Sequence, residues 1–81
     1  MRYLQAQDIP ESRVGFIIRK RTGPAVLRNA IRRILREAFR ASVPGFARPA
    51  WVVFDVSEKA AESTRAELRR SAETLLRGLC A

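Results

Sequence analysis

Between Arg13 and Arg40 the chain reads RVGFIIRKRTGPAVLRNAIRRILREAFR, and the spacing of its apolar residues changes abruptly at Thr22-Gly23-Pro24. Before that break the period is two. Val14, Phe16 and Ile18 alternate with Gly15, Ile17, Arg19 and Arg21, which puts the two sets on opposite faces of a strand from Val14 to Arg19. After it the period is that of a helix. Leu27, Ala30, Ile31, Ile34, Leu35 and Ala38 share one face of a helix from about Ala25 to Ala41, and Arg28, Asn29, Arg32, Arg33, Arg36 and Arg40 share the other. Pro24 suits the first turn, where a missing N–H costs nothing, with Thr22 or Gly23 as N-cap. A strand and a helix in series, each apolar on one side only, must bury those sides together, which calls for helices packed on a small sheet.

The flanking segments extend this plan. Tyr3 to Gln7 reads as an edge strand and Asp8 to Ser12 as a turn set by Pro10. Phe39, at the border of the helix faces, is placed under the sheet edge. After a Pro- and Gly-containing loop, Ala50 to Val56 is so uniformly apolar that it reads as an interior strand covered on both faces, with Trp51 and Phe54 assigned to the core rather than to base stacking. Ser57 to Ser63 is polar and carries no decisive pattern. Thr64 and Glu67 have the spacing of a capping box, and Leu68, Ala72, Leu75, Leu76 and Leu79 form the stripe of a second helix. The order is β(β)αβα, an α+β fold with one domain over residues 1–81.

Charge narrows the partner. Sixteen Lys and Arg against eight Asp and Glu leave a net charge of +8. Nine of the sixteen (Arg13, Arg19, Lys20, Arg21, Arg28, Arg32, Arg33, Arg36 and Arg40) fall on the strand, turn and helix just described. A cationic surface built on folded elements suits a folded polyanion, RNA first, and the preference for arginine over lysine fits phosphate forks and base stacking. Arg28, Arg32 and Arg36 rise as an i, i+4, i+8 column whose mutual repulsion Glu37 relieves only in part, through Arg33. Asn29 has two readings: contact with a phosphate, 2′-hydroxyl or base edge, or a hydrogen bond back to the preceding loop. Arg19, Lys20 and Arg21 could grip a backbone, with Ile17 and Tyr3 as an apolar or stacking floor, or they could simply cover the sheet edge.

Several chemistries are excluded. There is no histidine, and the single cysteine, Cys80, has no zinc-ligand spacing. Serines and threonines lack a base partner, and no acid pair has the context for general acid–base work. Asp55 and Glu58 could hold a hydrated Mg²⁺, but such pairs are ordinarily just solvated. No signal peptide is seen and no apolar run approaches the ~18 residues of a membrane span, so a soluble cytoplasmic protein is expected. A basic amphipathic helix also fits a lipid or acidic-protein surface, but here its apolar face is needed for the core.

The segment R-V-G-F-x-x-x-K-R-x-G-x-A-V-x-R-N-x-x-R-R-x-L-R-E-A-F-R, Arg13 to Arg40, closely resembles the signature of the protein subunit of bacterial ribonuclease P. That resemblance implies a two-layer α/β sandwich with a left-handed βαβ crossover, against the right-handed rule that holds in about 98% of cases. It implies a subunit of an endoribonuclease that is not catalytic by itself. Arg28, Asn29, Arg32, Arg33, Arg36 and Lys20 would bind the catalytic RNA. Ile17, Arg19, Arg21 and Tyr3 would face the 5′ leader of precursor tRNA in a cleft across the sheet. Mg²⁺ would be held mainly by the RNA, and no membrane partner or protein oligomer is implied. The alternative is a generic RNA-binding or ribosome-associated module with no part in cleavage. The chain departs from the family pattern at Ala30, where arginine is usual, and at Ile17 and Arg19, where serine is frequent. Only twelve residues precede Arg13, so most of the usual N-terminal helix region is expected to be missing, which should weaken leader binding more than RNA-subunit binding.

Overall fold

The computed structural model describes the backbone of residues 2–6 and all of residues 10–80. Three strands, β1 (Arg2–Ala6), β2 (Arg13–Ile18) and β3 (Trp51–Val56), and two helices, α1 (Ala25–Ser42) and α2 (Arg65–Leu76), follow in the order ββαβα. The expected turn residues Asp8 and Ile9 lie outside the described residues, as does the side chain of Tyr3. The sheet order is β1-β3-β2. β2 runs parallel to β3, with Arg13 opposite Trp51 and Ile17 opposite Asp55. β1 runs antiparallel along the other side of β3, with Tyr3 opposite Phe54. The chain thus leaves β2, passes through α1 and returns as the central strand beside it.

Both helices contribute to one core on one face of the sheet. Val52, Phe54 and Val56 from β3 are fully buried, together with Ile31 and Leu35 of α1 and Leu76 of α2. Each such side chain stabilises the fold by roughly 1.5–3 kcal/mol relative to exposure. Phe16 of β2 stacks on Phe54 with ring centroids 6.1 Å apart. Phe39 is buried as expected and meets Phe46 edge-on at 5.8 Å, tying the loop after α1 to the core. That loop is also joined to the chain's C-terminal end, where Ala47 N–H donates to the Leu79 carbonyl at 2.9 Å.

Three local expectations change. β3 is central but covered on one face only: Trp51 is 44% exposed, while Val53 and Asp55 are half-buried. Among the described residues both helices pack on the same side of the sheet and none covers the other, so an apolar strand here alternates between core and surface. Trp51 is therefore not a core residue, whereas Phe54 is. On α1 the buried arc (Ile31, Ile34, Leu35, Ala38, Phe39) is rotated toward Phe39. That rotation exposes Ala30 and draws Arg28 and Arg32 into partial burial. The N-cap of α1 is Pro24 itself, and Thr22 sits buried in a 3-10 turn spanning Lys20–Thr22. Gly23 joins the two with φ 152° and ψ −172°, a conformation that is essentially glycine-only.

Within the polar connection after β3, Glu58–Glu62 forms 3-10 turns, entered where the Ser57 hydroxyl accepts from Lys59 N–H. The capping box of α2 is complete. The Thr64 hydroxyl accepts from Glu67 N–H at 3.1 Å, and the Glu67 carboxylate accepts from Thr64 N–H at 3.0 Å.

Candidate nucleic-acid interface

The polar face of α1 carries the arginine column, and the fold gives each member a different attachment. Arg28 is partly buried, and its Nε donates to the Gly23 carbonyl at 3.2 Å, bracing the turn against the first helical turn. Arg32 donates to the Asn29 side-chain oxygen at 2.8 Å. The hydrogen bond back to the preceding loop is not found; instead the Asn29 side-chain oxygen accepts from Arg32 and orients that guanidinium. Arg36 lies over the Phe16 ring, 5.5 Å from its centroid, within the ~6 Å range of a cation–π interaction. Arg33 is exposed. Among the described residues no carboxylate pairs with any of the five arginines of α1. Glu37, expected to relieve part of their repulsion through Arg33, forms no ion pair with it among the described residues, so an anion alongside would relieve what remains.

A cleft of about 400 Å³ runs where α1 meets the outer edge of β2, lined by Arg13, Val14, Arg36, Phe39, Arg40 and the Val43-Pro44 turn, with Ser12 at its end. It brings Arg13 and Arg40 beside Arg36. Sequence reasoning does not select Arg13 for the site, because nothing in a linear pattern shows that β2 is an edge strand facing the helix.

The basic residues after β2 are partly neutralised. Arg19 pairs with Asp55 at 2.9 Å, where the Asp55 side chain is only 11% exposed. Arg21 pairs with Glu58 at 3.2 Å, and its side chain is 81% exposed. Exposed pairs of the second kind are worth only ~0–1 kcal/mol, so a phosphate can displace Glu58 easily; the Asp55 pair is the more sheltered of the two. Lys20 is exposed beside them. Asp55 and Glu58, the two carboxylates spaced for a hydrated Mg²⁺, are thus engaged by arginines. Among the described residues no group of three His, Cys, Asp or Glu is placed to hold a metal.

The open face of the sheet joins these pieces. Ile17 is 43% exposed on it, and Trp51 stands beside Gly15 one strand away. Tyr3, expected beside Ile17, is instead paired in register with the buried Phe54, so its backbone position alternates with those of Trp51, Val53 and Asp55 and the register does not join it to Ile17. Sequence reasoning misses Trp51. The signal that could find it is the alternation within Ala50–Val56, in which Trp51 and Val53 fall on the same side as the acidic Asp55.

A family model described as Ribonuclease P matches residues 1–80. The chain belongs to the ribonuclease P protein family. A ribonuclease P protein component of Dehalococcoides mccartyi is 45% identical over 65 residues, covering 80% of this chain and 52% of the relative. One from Clostridioides difficile is 30% identical over 76 residues, covering 93% and 67%. The chain therefore spans about half the length of the first of these relatives. The RNase P protein of Staphylococcus aureus superposes with a TM-score of 0.84 at 26% identity, over 93% of this chain and 70% of that one. The RNase P protein of Thermotoga maritima shares the fold, with a TM-score of 0.81. Among the described residues no helix is long and apolar enough to cross a membrane.

Proposed function

We propose that this chain acts as the protein subunit of ribonuclease P in the cytoplasm. It binds the catalytic RNA through α1 and holds the 5′ leader of precursor tRNA across the open face of the sheet. The observation that carries the reading is the arginine face of α1, which has no carboxylate partner among the described residues, in a chain of this family. Arg32, Arg33 and Arg36, with Lys20 at the turn, neutralise RNA phosphates and release counterions, which stabilises the folded RNA. Asn29 acts by orienting Arg32, and Arg28 both braces the turn and offers its remaining N–H groups. The polypeptide contributes binding; the RNA, with its Mg²⁺, supplies phosphodiester hydrolysis. Ile17, Arg19 and Arg21 serve the leader, Arg21 more readily than Arg19 because its ion pair is the more exposed.

The test is cleavage of precursor tRNA by a bacterial ribonuclease P RNA at low Mg²⁺, with and without the chain. Stimulation that disappears in Arg32→Ala/Arg33→Ala is expected. Tight RNA binding without stimulation would refute the subunit role and leave a generic RNA-binding module.

A further inference from the structure

Three large hydrophobic residues are exposed among the described ones, Ile17, Val26 and Trp51, and two of them share the open face of the sheet. Val26 is on α1. Trp51 opens β3 and is paired with Arg13, while Gly15 is paired with Val53 two residues further along each strand. A β-carbon added at Gly15 would stand 3.9 Å from Trp51 Nε1 and 3.7 Å from Val53 Cγ2. The indole therefore reaches across from β3 to the glycine of β2, and the absence of a side chain at Gly15 leaves it that seat.

We propose that Trp51, seated against Gly15, is a stacking position for one nucleobase of single-stranded RNA. This rests on the reading that the sheet face receives the leader, and adds to it the residue that holds a base. The occupant follows from chemistry on the same face. An indole left 44% exposed beside apolar Val53, with Ile17 further along the same face, offers a flat apolar surface, and every unpaired base has a complementary one. A duplex buries its base faces and cannot use it. The net charge of +8 favours a polyanion. Arg19 and Arg21 stand beyond the far end of β2, about 20 Å from Arg13 at roughly 3.3 Å per residue, a distance that spans several nucleotides. Arg19 is held by the sheltered Asp55, which leaves Arg21 as the more readily available phosphate contact at that end and gives stacking a larger share of strand affinity. The Trp51 contribution should accordingly be insensitive to salt, unlike that of α1.

Trp51 is the chain's sole tryptophan, so intrinsic fluorescence reads this position alone. The full chain would be titrated with an adenylate octamer and with an abasic ribose-phosphate octamer. In parallel, the enzyme reconstituted with a bacterial ribonuclease P RNA would be tested for affinity to precursor tRNA and to leaderless tRNA. Saturable quenching by the adenylate octamer and none by the abasic one is expected. Trp51→Ala should lose about 5- to 150-fold in octamer affinity, the range that removing one stacked base implies. Its salt slope should be unchanged, Trp51→Phe should keep most of the affinity, and preference for the leader-bearing substrate should fall by a similar factor in Trp51→Ala. Leader preference that persists undiminished in Trp51→Ala overturns the stacking site while leaving leader binding by the sheet intact. A parent chain with no leader preference overturns leader binding, yet octamer quenching would still uphold the stacking site. Fluorescence that changes with protein concentration in the absence of RNA assigns the patch to self-association and overturns the proposal.

Discussion

Replacing Gly23 with alanine should be among the most damaging single-methyl additions this chain can suffer. Its φ of 152° with ψ of −172° lies where an L side chain is strained, and holding alanine there costs about 1–3 kcal/mol. The added methyl would also meet Leu27 Cδ2 at 2.7 Å. That atom is the end of a flexible side chain, so Leu27 turns aside at a further ~0.5–1.5 kcal/mol for leaving its rotamer. The sum, about 1.5–4.5 kcal/mol, is a large part of the roughly 4–12 kcal/mol that 81 residues ordinarily supply. Thermal unfolding followed by circular dichroism should show a midpoint lowered by about 6–36 °C. The turn matters for function too, because the Gly23 carbonyl accepts from Arg28, so surviving folded protein should bind RNA less well. Gly45→Ala is the control. Its methyl would stand 3.4 Å from Cys80 Sγ with no unusual backbone angle, and should cost far less. A Gly23→Ala protein as stable as Gly45→Ala would refute the assignment of this turn as the device that fixes the start of α1.

The arginine face and the helix cap give two more expected outcomes. Arg33→Ala should leave the melting temperature unchanged and flatten the plot of log K against log salt by about 0.7–0.9 for each phosphate it no longer neutralises. Arg28→Ala should instead lower both RNA affinity and melting temperature, because its bond to Gly23 is partly buried. Identical melting temperatures for the two variants would contradict this division, and so would an unaltered salt slope for Arg33→Ala. The carboxyl of Glu67 is held below its ordinary value by the bond from Thr64 N–H, then by the Thr64 side chain and, more weakly, by Arg70. Its folded value being depressed, it contributes stability above the unfolded value that is lost as pH falls through the folded one. Urea titrations across that acidic window should therefore show a shallower decline for Glu67→Gln, and equal slopes in the two proteins would show that the cap does not titrate with folding.

Most of the architecture is legible in the sequence because each helix states its own buried side. The period of α1, the Gly-Pro break and the Thr64/Glu67 box are local patterns, and local hydrogen bonds and side-chain spacing realise them directly. The departures share a cause. Ala50–Val56 is apolar on both sides, so its composition does not reveal how many of its faces are covered, and Trp51 reads as core although the core does not reach it. The buried arc of α1 differs from the expected one by a fraction of a turn for a similar reason. Phe39 is drawn toward Phe46, and the helix rotates accordingly, exposing Ala30 and half-burying Arg28.

By itself the sequence determined that this chain would present arginines on a helix beside a strand, because amphipathic periodicity separates charge from core wherever the chain folds. It also determined that the polypeptide would lack histidine-based catalysis, since no histidine is present at any position. Only the tertiary structure decided which arginines find carboxylate partners among the described residues. Asp55 is 36 residues from Arg19, and Glu58 reaches Arg21 from the segment after β3. Those meetings depend on β3 lying parallel beside β2, as does the seat of Trp51 against Gly15. A long-range strand pairing is a choice among registers that no local pattern encodes, and here it divides the basic residues between those paired with carboxylates and those without such a partner among the described residues.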